Sequence, residues 1–441
     1  MNRVLQEVHS RGEGSQSVQH VLHLKCLLCG REYPPDGIRY VCPNHGNEGI
    51  LDVLYDYDRI AATLSRQDLD ANNDRSIWRY KPLLPVDPKS PVPPIQVGWT
   101  PLYEAPRLGS LLGLRHLWVK DETRQPTASF KDRASAIAIV KAQENGAKVI
   151  ATASTGNAAA ALSGLCASVG MPNVIFVPAS APEAKIAQLL VFGSIVLLIE
   201  GTYDDAFDLC LEASEKFGWY NRNTGFNPYM TEGKKTAIFE ICEQLNWEGP
   251  DALFIPVGDG CIIGGFHKGL KDLLSLGWIK KMPQLFGVQA SGSSALYHAW
   301  KKGMDPMDIK PIKADTIADS ISAGLPRDRI KAMRAVRETG GAFVVVSDEE
   351  ILHAIPILAR HCGIFAEPAG AASLAGLSQA LQEGLVSPGE RIVIVVTGSG
   401  LKDIRAAVKA VGPPYRIQPR LQAVEDALRE SPATAALLSG S

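Results

Sequence analysis

Between residues 102 and 412, short runs of β-branched and other apolar residues alternate with alanine-rich runs at helical spacing. Continuous apolar strands that alternate with helices are typical of parallel sheets covered on both faces. The number of runs favours two domains over one, so the pattern predicts an α/β fold with two three-layer, open parallel-sheet domains. The predicted strands are 117–119, 149–152, 174–177, 195–199, 252–257, 285–288, 343–346 and 391–396.

Composition divides the rest of the chain into smaller segments. A polar start predicts a disordered N-terminus, two cysteine-containing turns predict a compact module, and a proline-rich run predicts an extended strap. A helix at 421–429 is predicted in the C-terminal tail. The predicted segments are 1–20 (disordered), 21–50 (zinc-ribbon-like module), 51–98 (helix and strap), 99–145 with 232–412 (large catalytic domain), 146–231 (small mobile domain) and 413–441 (tail).

The overall composition argues against several classes of partner. The 441 residues are 46% hydrophobic and 21% charged, with a formal net charge of −2, which is ordinary for a soluble globular protein. Without a basic excess, we expect no binding to nucleic acid, and no apolar run is long enough to predict a membrane span. The N-terminus lacks the apolar region of a signal peptide, and most cysteines stand singly among apolar residues. We therefore expect a cytoplasmic protein with reduced thiols.

Two short motifs near the N-terminus have the spacing of a zinc ribbon. Cys26 and Cys29 form the first, Cys42 and His45 form the second, and a glycine follows each pair. Four such ligands on two tight turns can meet tetrahedrally around a zinc ion. Such a zinc would be structural, because no coordination position is left open for chemistry. The alternative is a module that folds without metal.

A loop between a predicted strand and a predicted helix carries Lys131. Ser129 stands where an N-cap is expected, so Lys131 falls in the first turn of the helix. The start of a helix favours anions over cations, and a lysine there suits an amine that is needed neutral and nucleophilic. The alternative is a solvated surface lysine beside Asp132.

Three further loops follow predicted strands, at the ends where ligands bind in open α/β sheets. The segment 154–158 opens an alanine-rich helix and suits a carboxylate, unless its hydroxyls are plain N-caps. The glycine-rich loop at 258–265 suits a phosphate, unless it is a tight turn that serves packing. Thr397 offers a hydroxyl that can meet a ring nitrogen without a charge, unless 397–403 is a plain turn.

Together these loops describe one cofactor chemistry. An amine nucleophile, a phosphate cradle, a hydroxyl for a ring nitrogen and a carboxylate cradle suit pyridoxal 5'-phosphate held by Lys131. The substrate would then be an amino acid, and the released lysine amine would move protons at its Cα and beyond.

Three motifs, 126–133 (PTASFKDR), 154–157 (STGN) and 397–403 (TGSGLKD), resemble those of threonine synthases, which are fold-type II (tryptophan synthase β-like) pyridoxal phosphate enzymes. The resemblance covers about 77–412. It implies conversion of O-phospho-L-homoserine and water to L-threonine and phosphate, by γ-elimination and β-addition, in a homodimer. It also implies that Asn157 meets the ring hydroxyl of the cofactor and that Thr397 meets its ring nitrogen. The implied site residues are Phe130, Lys131, Asn157, Gly258, Asp259, Gly260, Cys261, Ile262 and Thr397 for the cofactor, and Ser154, Thr155 and Asn157 for the substrate.

Several positions depart from the pattern of this family. The family usually has glycine where Ala128 and Ala134 stand, and the loop at 258–262 is nearer to the dehydratase style. It often has an arginine for the substrate phosphate where this chain has Met230, and a thioether cannot replace a guanidinium. The candidates to compensate are Arg133, Lys234, Lys235 and Arg327.

Two other functions stay open at this point. A threonine or serine dehydratase, or a β-replacement enzyme such as cysteate synthase, would be consistent with Met230. A non-catalytic binding protein on a decayed enzyme fold would use the N-terminal module for interaction, although the intact Lys131 argues against it.

Overall fold

Three β-sheets and the helices around them organise the chain in the computed structural model, which describes residues 19–35, 39–181, 183–435 and 437–438. The predicted disorder at 1–20 falls outside these residues except for its last two positions. The strands are β1 (Val21–Cys26), β2 (Glu32–Tyr33), β3 (Leu51–Tyr55), β4 (Leu102–Glu104), β5 (His116–Asp121), β6 (Ile150–Ala153), β7 (Asn173–Pro178), β8 (Ile195–Ile199), β9 (Tyr220–Asn221), β10 (Ala252–Pro256), β11 (Gln284–Ala290), β12 (Phe343–Val346) and β13 (Arg391–Val396).

The helices fill the intervals between strands, and across the described ranges none is long and apolar enough to cross a membrane. They are α1 (Tyr57–Ala61), α2 (Arg66–Ala71), α3 (Pro106–Leu112), α4 (Lys131–Glu144), α5 (Asn157–Val169), α6 (Glu183–Val191), α7 (Tyr203–Phe217), α8 (Tyr229–Lys234), α9 (Thr236–Gln244), α10 (Cys261–Ser275), α11 (Ala295–Lys301), α12 (Arg329–Thr339), α13 (Asp348–Cys362), α14 (Pro368–Gln382), α15 (Ile404–Val411), α16 (Leu421–Arg429) and α17 (Pro432–Ala435).

The N-terminal module is a small antiparallel sheet in the order β2-β1-β3. Leu24 and Val53 lie opposite each other and are fully buried. The predicted end of the module at residue 50 leaves out β3. However, β3 pairs with β1 along the length of β1. A single antiparallel bridge joins Val41 to Ile50 in the same module.

The large sheet has the order β12-β11-β10-β13-β5-β4, and all its neighbouring strands are parallel except β4 and β5. Alternate residues of the central strand β10 pack on opposite faces: Leu253 and Ile255 belong to one core cluster and Phe254 to another. This period of two confirms the prediction of a sheet covered on both faces. The short edge strand β4 was not predicted, because three partly exposed residues carry no pattern.

The small sheet is parallel throughout and has the order β8-β7-β6-β9. Its strands come from 150–221 and those of the large sheet from outside that range, although the domain boundaries themselves stay a prediction. All eight predicted strands are present, and every end lies within two residues of its expected position. β9 was not predicted, because it has only two residues.

A buried charge network fixes the start of α4 against both β5 and α9. Arg133 forms ion pairs with Glu122 at 2.7 Å and with Glu240 at 2.6 Å, and Lys120 approaches Glu240 at 2.8 Å. Burial alone would raise the pKa of Glu240, but Arg133 and Lys120 lower it to about 2. Lys131 lies two residues before Arg133, so the network also fixes the position of Lys131.

Candidate active site

A cavity of about 1510 Å³ is lined by loops from the carboxyl ends of strands in both sheets. Thr152 and Pro178 reach it from the small sheet, and Pro256 and Thr397 reach it from the large sheet. This is where ligands bind in open α/β folds. The predicted residues that line it are Lys131, Ser154, Thr155, Asn157, Gly258, Asp259, Gly260, Cys261, Ile262 and Thr397.

Phe130 is the exception among the predicted residues. Its side chain is fully buried and stacks on Phe266 with ring centroids 6.1 Å apart, and it is absent from the cavity wall. Its backbone N–H donates to the carbonyl of Thr397 at 2.9 Å. Phe130 therefore links the lysine loop to the threonine loop and does not offer its ring to a ligand.

Lys131 is the first residue of α4 and is partly exposed, with its exposed part on the cavity wall. Burial is the largest cause that lowers the pKa of its amine, and the positive charge of Arg222 acts in the same direction. A lowered pKa keeps more of the amine neutral, which is the form that acts as a nucleophile. The surroundings of Lys131 therefore differ from those of a solvated surface lysine.

The prediction that Ser129 is the N-cap of α4 is wrong. The helix is preceded by Phe130 in a helical conformation, and the buried hydroxyl of Ser129 has no hydrogen-bond partner within the described ranges. Thr127 instead donates from its N–H and its hydroxyl to the Asp132 carboxylate, at 2.9 and 2.7 Å. Ala128 takes a φ of 60°, a left-handed conformation that glycine adopts more easily.

The glycine-rich loop before α10 has the donors that a phosphate needs. Gly260 has a φ of 89°, and a Cβ on Gly258 would lie 2.8 Å from the Ile321 backbone. The first N–H groups of a helix have no acceptor within the helix, and they attract anions together with the helix dipole. Asp259 does not oppose this arrangement, because its carboxylate accepts from the N–H of Arg327 at 3.2 Å.

Glu367 is a site residue that the sequence analysis missed. Its buried carboxylate accepts from Asn157 Nδ2 at 2.8 and 3.0 Å, and burial raises its pKa. A Cβ on Gly398 would come within 2.3 Å of it, so the glycine next to Thr397 makes room for this carboxylate. The only local signal was a proline-led, alanine-rich helix that begins directly after Glu367.

Arg222 and Asn223 were also missed, and both line the cavity. Arg222 is 1% exposed, donates to Ser135 Oγ at 3.2 Å and to Thr224 Oγ1 at 3.0 Å, and its Nη2 has no partner in the described part of the chain. Asn223 Nδ2 is likewise buried without a partner among the described residues. Burial lowers the pKa of Arg222 to about 10. Both residues thus line the cavity, and each has a buried donor atom without a hydrogen-bond partner among the described residues.

The four residues that could compensate for the missing arginine at position 230 differ in whether they line the cavity. Met230 is 1% exposed and absent from the cavity wall. Arg133 is committed to its two carboxylates, and Lys235 pairs with Glu232 and Asp272, each at 2.6 Å. Lys234, which donates to the carbonyl of Met230 at 3.2 Å, is also absent from the wall. Only Arg327 of the four lines the cavity, and it stacks 3.7 Å from the Phe207 ring centroid.

The four predicted metal ligands come together in the N-terminal module. The ligand atoms of Cys26, Cys29, Cys42 and His45 all lie within 4.8 Å of one another. Cys29 Sγ and Cys42 Sγ are 3.9 Å apart, and Cys26 Sγ lies 3.8 Å from His45 Nδ1. Zinc bonds of about 2.0–2.3 Å in a tetrahedron place donor atoms roughly 3.3–3.8 Å apart. The arrangement fits a tetrahedral zinc ion.

Comparison with known proteins agrees with this geometry. Residues 94–398 match the family of pyridoxal-phosphate dependent enzymes. The chain is 38% identical over 408 residues to the threonine synthase of Methanocaldococcus jannaschii, which covers 92% of this chain and 99% of the relative. The chain belongs to the threonine synthase family. The threonine synthase of Methanosarcina acetivorans is 39% identical, again over 92% of this chain and 98% of the relative.

Among solved structures, threonine deaminase isoform 2 from Solanum lycopersicum is similar with a TM-score of 0.62 and 24% identity. The match covers 81% of this chain and 89% of the deaminase. At this level of identity it supports the fold alone. It confirms the α/β architecture of fold-type II pyridoxal phosphate enzymes.

The residues of the cavity suit the cofactor of this family. Lys131 supplies an amine of lowered pKa, and the start of α10 supplies unpaired N–H groups for a phosphate. Thr397 supplies a neutral hydroxyl on the same wall. Pyridoxal phosphate, when bound, supplies an electron sink for negative charge that develops on the substrate carbons.

Proposed function

We propose that this protein is a threonine synthase, which converts O-phospho-L-homoserine and water into L-threonine and phosphate. Family membership and the Lys131 cavity support the cofactor chemistry. The observation that carries the choice of a phosphorylated substrate is the pair of unpartnered, buried donors on Arg222 and Asn223. A dianion in the cavity would supply the acceptors that the described residues do not.

Lys131 is the group that moves protons in this proposal. Its amine lies on the cavity wall and its pKa is lowered, so it can take a proton at substrate Cα and return one at a neighbouring carbon. γ-Elimination releases phosphate from the substrate, and water then adds at Cβ. Ser154 and Thr155 would hold the substrate carboxylate at the start of α5, where Ser154 Oγ already accepts from the N–H of Gly156 at 3.2 Å.

Arg222 would hold the phosphate of the substrate in place of an arginine at position 230. Charge-assisted hydrogen bonds from a guanidinium to phosphate are among the strongest in proteins. The cost of burying an uncompensated guanidinium is large, and a bound dianion offsets it. Arg327 would extend the same positive wall, although it also approaches Asp204 at 3.3 Å.

The dehydratase alternative is tested against this proposal by the products. Purified protein loaded with pyridoxal phosphate is given O-phosphohomoserine, threonine or serine, and both phosphate and 2-oxo acid are measured. We expect stoichiometric phosphate and threonine from O-phosphohomoserine, and little 2-oxobutyrate from threonine. Robust 2-oxobutyrate production without phosphate release would overturn the proposal. Lys131→Ala is the control for non-enzymatic release.

The oligomeric state and the cellular location belong to the same proposal. We infer a homodimer, which the exposed apolar side chains of Ile404, Val408 and Val411 along α15 support. Light scattering of the purified protein would measure this. A cytoplasmic location and a structural zinc ion follow from the same inference, and metal analysis of protein purified without chelator tests the zinc.

A further inference from the structure

The N-terminal module contributes directly to the wall of the catalytic cavity. Asn47 and Glu48, which follow the candidate ligand His45 by two and three residues, line the same cavity as Lys131. They lie in a loop closed by bonds from Cys42 N to Gly49 O at 2.8 Å and from His45 N to Cys42 O at 3.0 Å. The conformation of the ligand loop therefore sets the position of this part of the wall.

The module also contacts the segment that carries Arg222. The Tyr40 hydroxyl accepts from the N–H of Asn221 at 2.8 Å, directly before Arg222. The Tyr40 ring packs against Tyr220 at 5.7 Å and Phe226 at 5.1 Å between centroids. Because β9 has only two residues, these contacts add support that its own short pairing with β6 does not give.

On the opposite side, the module contacts the segment behind the glycine-rich loop. Glu48 forms an ion pair with Arg329, which is nearly buried and also donates to Pro306 O at 3.0 Å and Pro326 O at 3.3 Å. The neighbouring Asp328 N–H donates to the carbonyl of Asp259 at 2.9 Å. One loop of the module is thus connected to the predicted phosphate loop through a single short segment.

We propose that the N-terminal module positions two walls of the active site, the Arg222 segment and the 326–329 segment, and that metal bound by Cys26, Cys29, Cys42 and His45 keeps it rigid enough to do so. Tyr40 and Glu48 are the positioning residues. The part of this inference that concerns substrate affinity rests on the proposed function of Arg222. The part that concerns how rigidly the two segments are held does not depend on that proposed function.

The test uses the holoenzyme and the variants Tyr40→Phe and Glu48→Gln. Glu32→Gln is the matched control, because the ion-pair partners of Glu32 among the described residues are His23 and Lys25 on the exposed side of the module, each at 3.2 Å. Hydrogen–deuterium exchange should rise in 220–228 for Tyr40→Phe and in 326–332 for Glu48→Gln. Removing the metal from the wild type by chelation should raise it in both. The visible absorbance of the bound cofactor should remain in all of these samples.

Affinity for inorganic phosphate is the second measurement. We expect it to weaken on the order of fivefold or more in Tyr40→Phe and after chelation, as is typical of coupling between sites, and to stay unchanged in Glu32→Gln. Unchanged exchange in both segments after chelation and in the two variants would overturn the inference. If the wild type itself does not bind phosphate, the proposed phosphate site fails, and the exchange data still decide whether the module positions the two walls.

Discussion

Replacing Arg222 by methionine should lower the activity without lowering the stability of the protein. Methionine retains much of the aliphatic volume but removes the charge and the buried Nη2 that has no partner among the described residues. The matched control is Arg133→Met, since Arg133 is equally buried but bonded to Glu122 and Glu240. Both changes remove one buried guanidinium, and only the partners differ.

The expected effect on catalysis follows from the bonds that the phosphate would lose. A hydrogen bond to a charged group contributes about 1.5–3 kcal/mol, and the free Nη2 supplies one or two of them. The loss is therefore about 1.5–6 kcal/mol, which corresponds to a decrease of roughly tenfold or more in kcat/KM for O-phosphohomoserine. Turnover should fall less than kcat/KM if Arg222 holds the phosphate mainly in the ground state.

The expected effect on stability has the opposite sign. An uncompensated buried charge costs several kcal/mol, and its removal offsets the loss of about 1.5–3 kcal/mol for each of the bonds to Ser135 and Thr224. Arg222→Met should unfold at an equal or higher denaturant concentration than the wild type. Arg133→Met should lose about 3–5 kcal/mol, because it leaves Glu122 buried without its cation and leaves Glu240 with Lys120 as its one remaining cation among the described residues.

Steady-state kinetics and denaturant unfolding of the apo-proteins measure both quantities. A kcat/KM within threefold of the wild type would refute the role of Arg222 in binding phosphate. Equal destabilisation in both variants would show that Arg222 has a structural counter-ion, and the reasoning from its missing partner would then be wrong.

Four further predictions concern the lysine loop and the helix that follows it. Lys131→Ala should abolish the visible absorbance of bound cofactor, since no other cavity amine stands at the start of α4, and a spectrum with added pyridoxal phosphate measures this. Because burial lowers the pKa of Lys131 below its ordinary 10.5, its neutral form persists at lower pH. The rate of cofactor loading should therefore reach its plateau below that pH. In Arg222→Met the plateau should begin at a higher pH, because a nearby positive charge that lowers the pKa of Lys131 is gone. Ala128→Gly should stabilise the fold by about 0.5–1 kcal/mol in denaturant unfolding, because φ at Ala128 is 60°. Ala134→Gly, inside α4, should destabilise it by about 1 kcal/mol.

Eight strands of the large and small sheets could be predicted because each carries a continuous apolar run of three or more residues. β10 is an example: it packs residues on both faces, so every position is apolar. β4 and β9 could not be predicted, since strands of two or three residues at a sheet edge are defined by their pairing partners and not by their own side chains. The Ser129 cap failed for a related reason. The bonds in that turn are supplied by Thr127 and Asp132, which compete locally with the capping pattern.

The site residues that lie in local sequence motifs could be predicted, and those that the fold brings together from distant positions could not. Its glycine-rich loops were visible because a phosphate or a carboxylate needs backbone N–H groups, and those require glycines and hydroxyl residues in a short run. Glu367 and Arg222 gave no such signal, since each is a single charged residue whose role depends on side chains far away in the chain. The carboxylate of Glu367 meets Asn157 across 210 positions, a distance that only the fold removes.

Arg133 and Arg222 show why the remainder could not be obtained from the sequence. Both are arginines that the fold buries almost completely, and both lie near Lys131 in space. Two carboxylates surround the first, so its charge is compensated within the protein and its role is to hold α4 in place. Among the described residues the second has only hydroxyl partners, and burial lowers its pKa to about 10, which is why we propose an anionic ligand as its counter-ion. No local sequence pattern around position 222 contains that information.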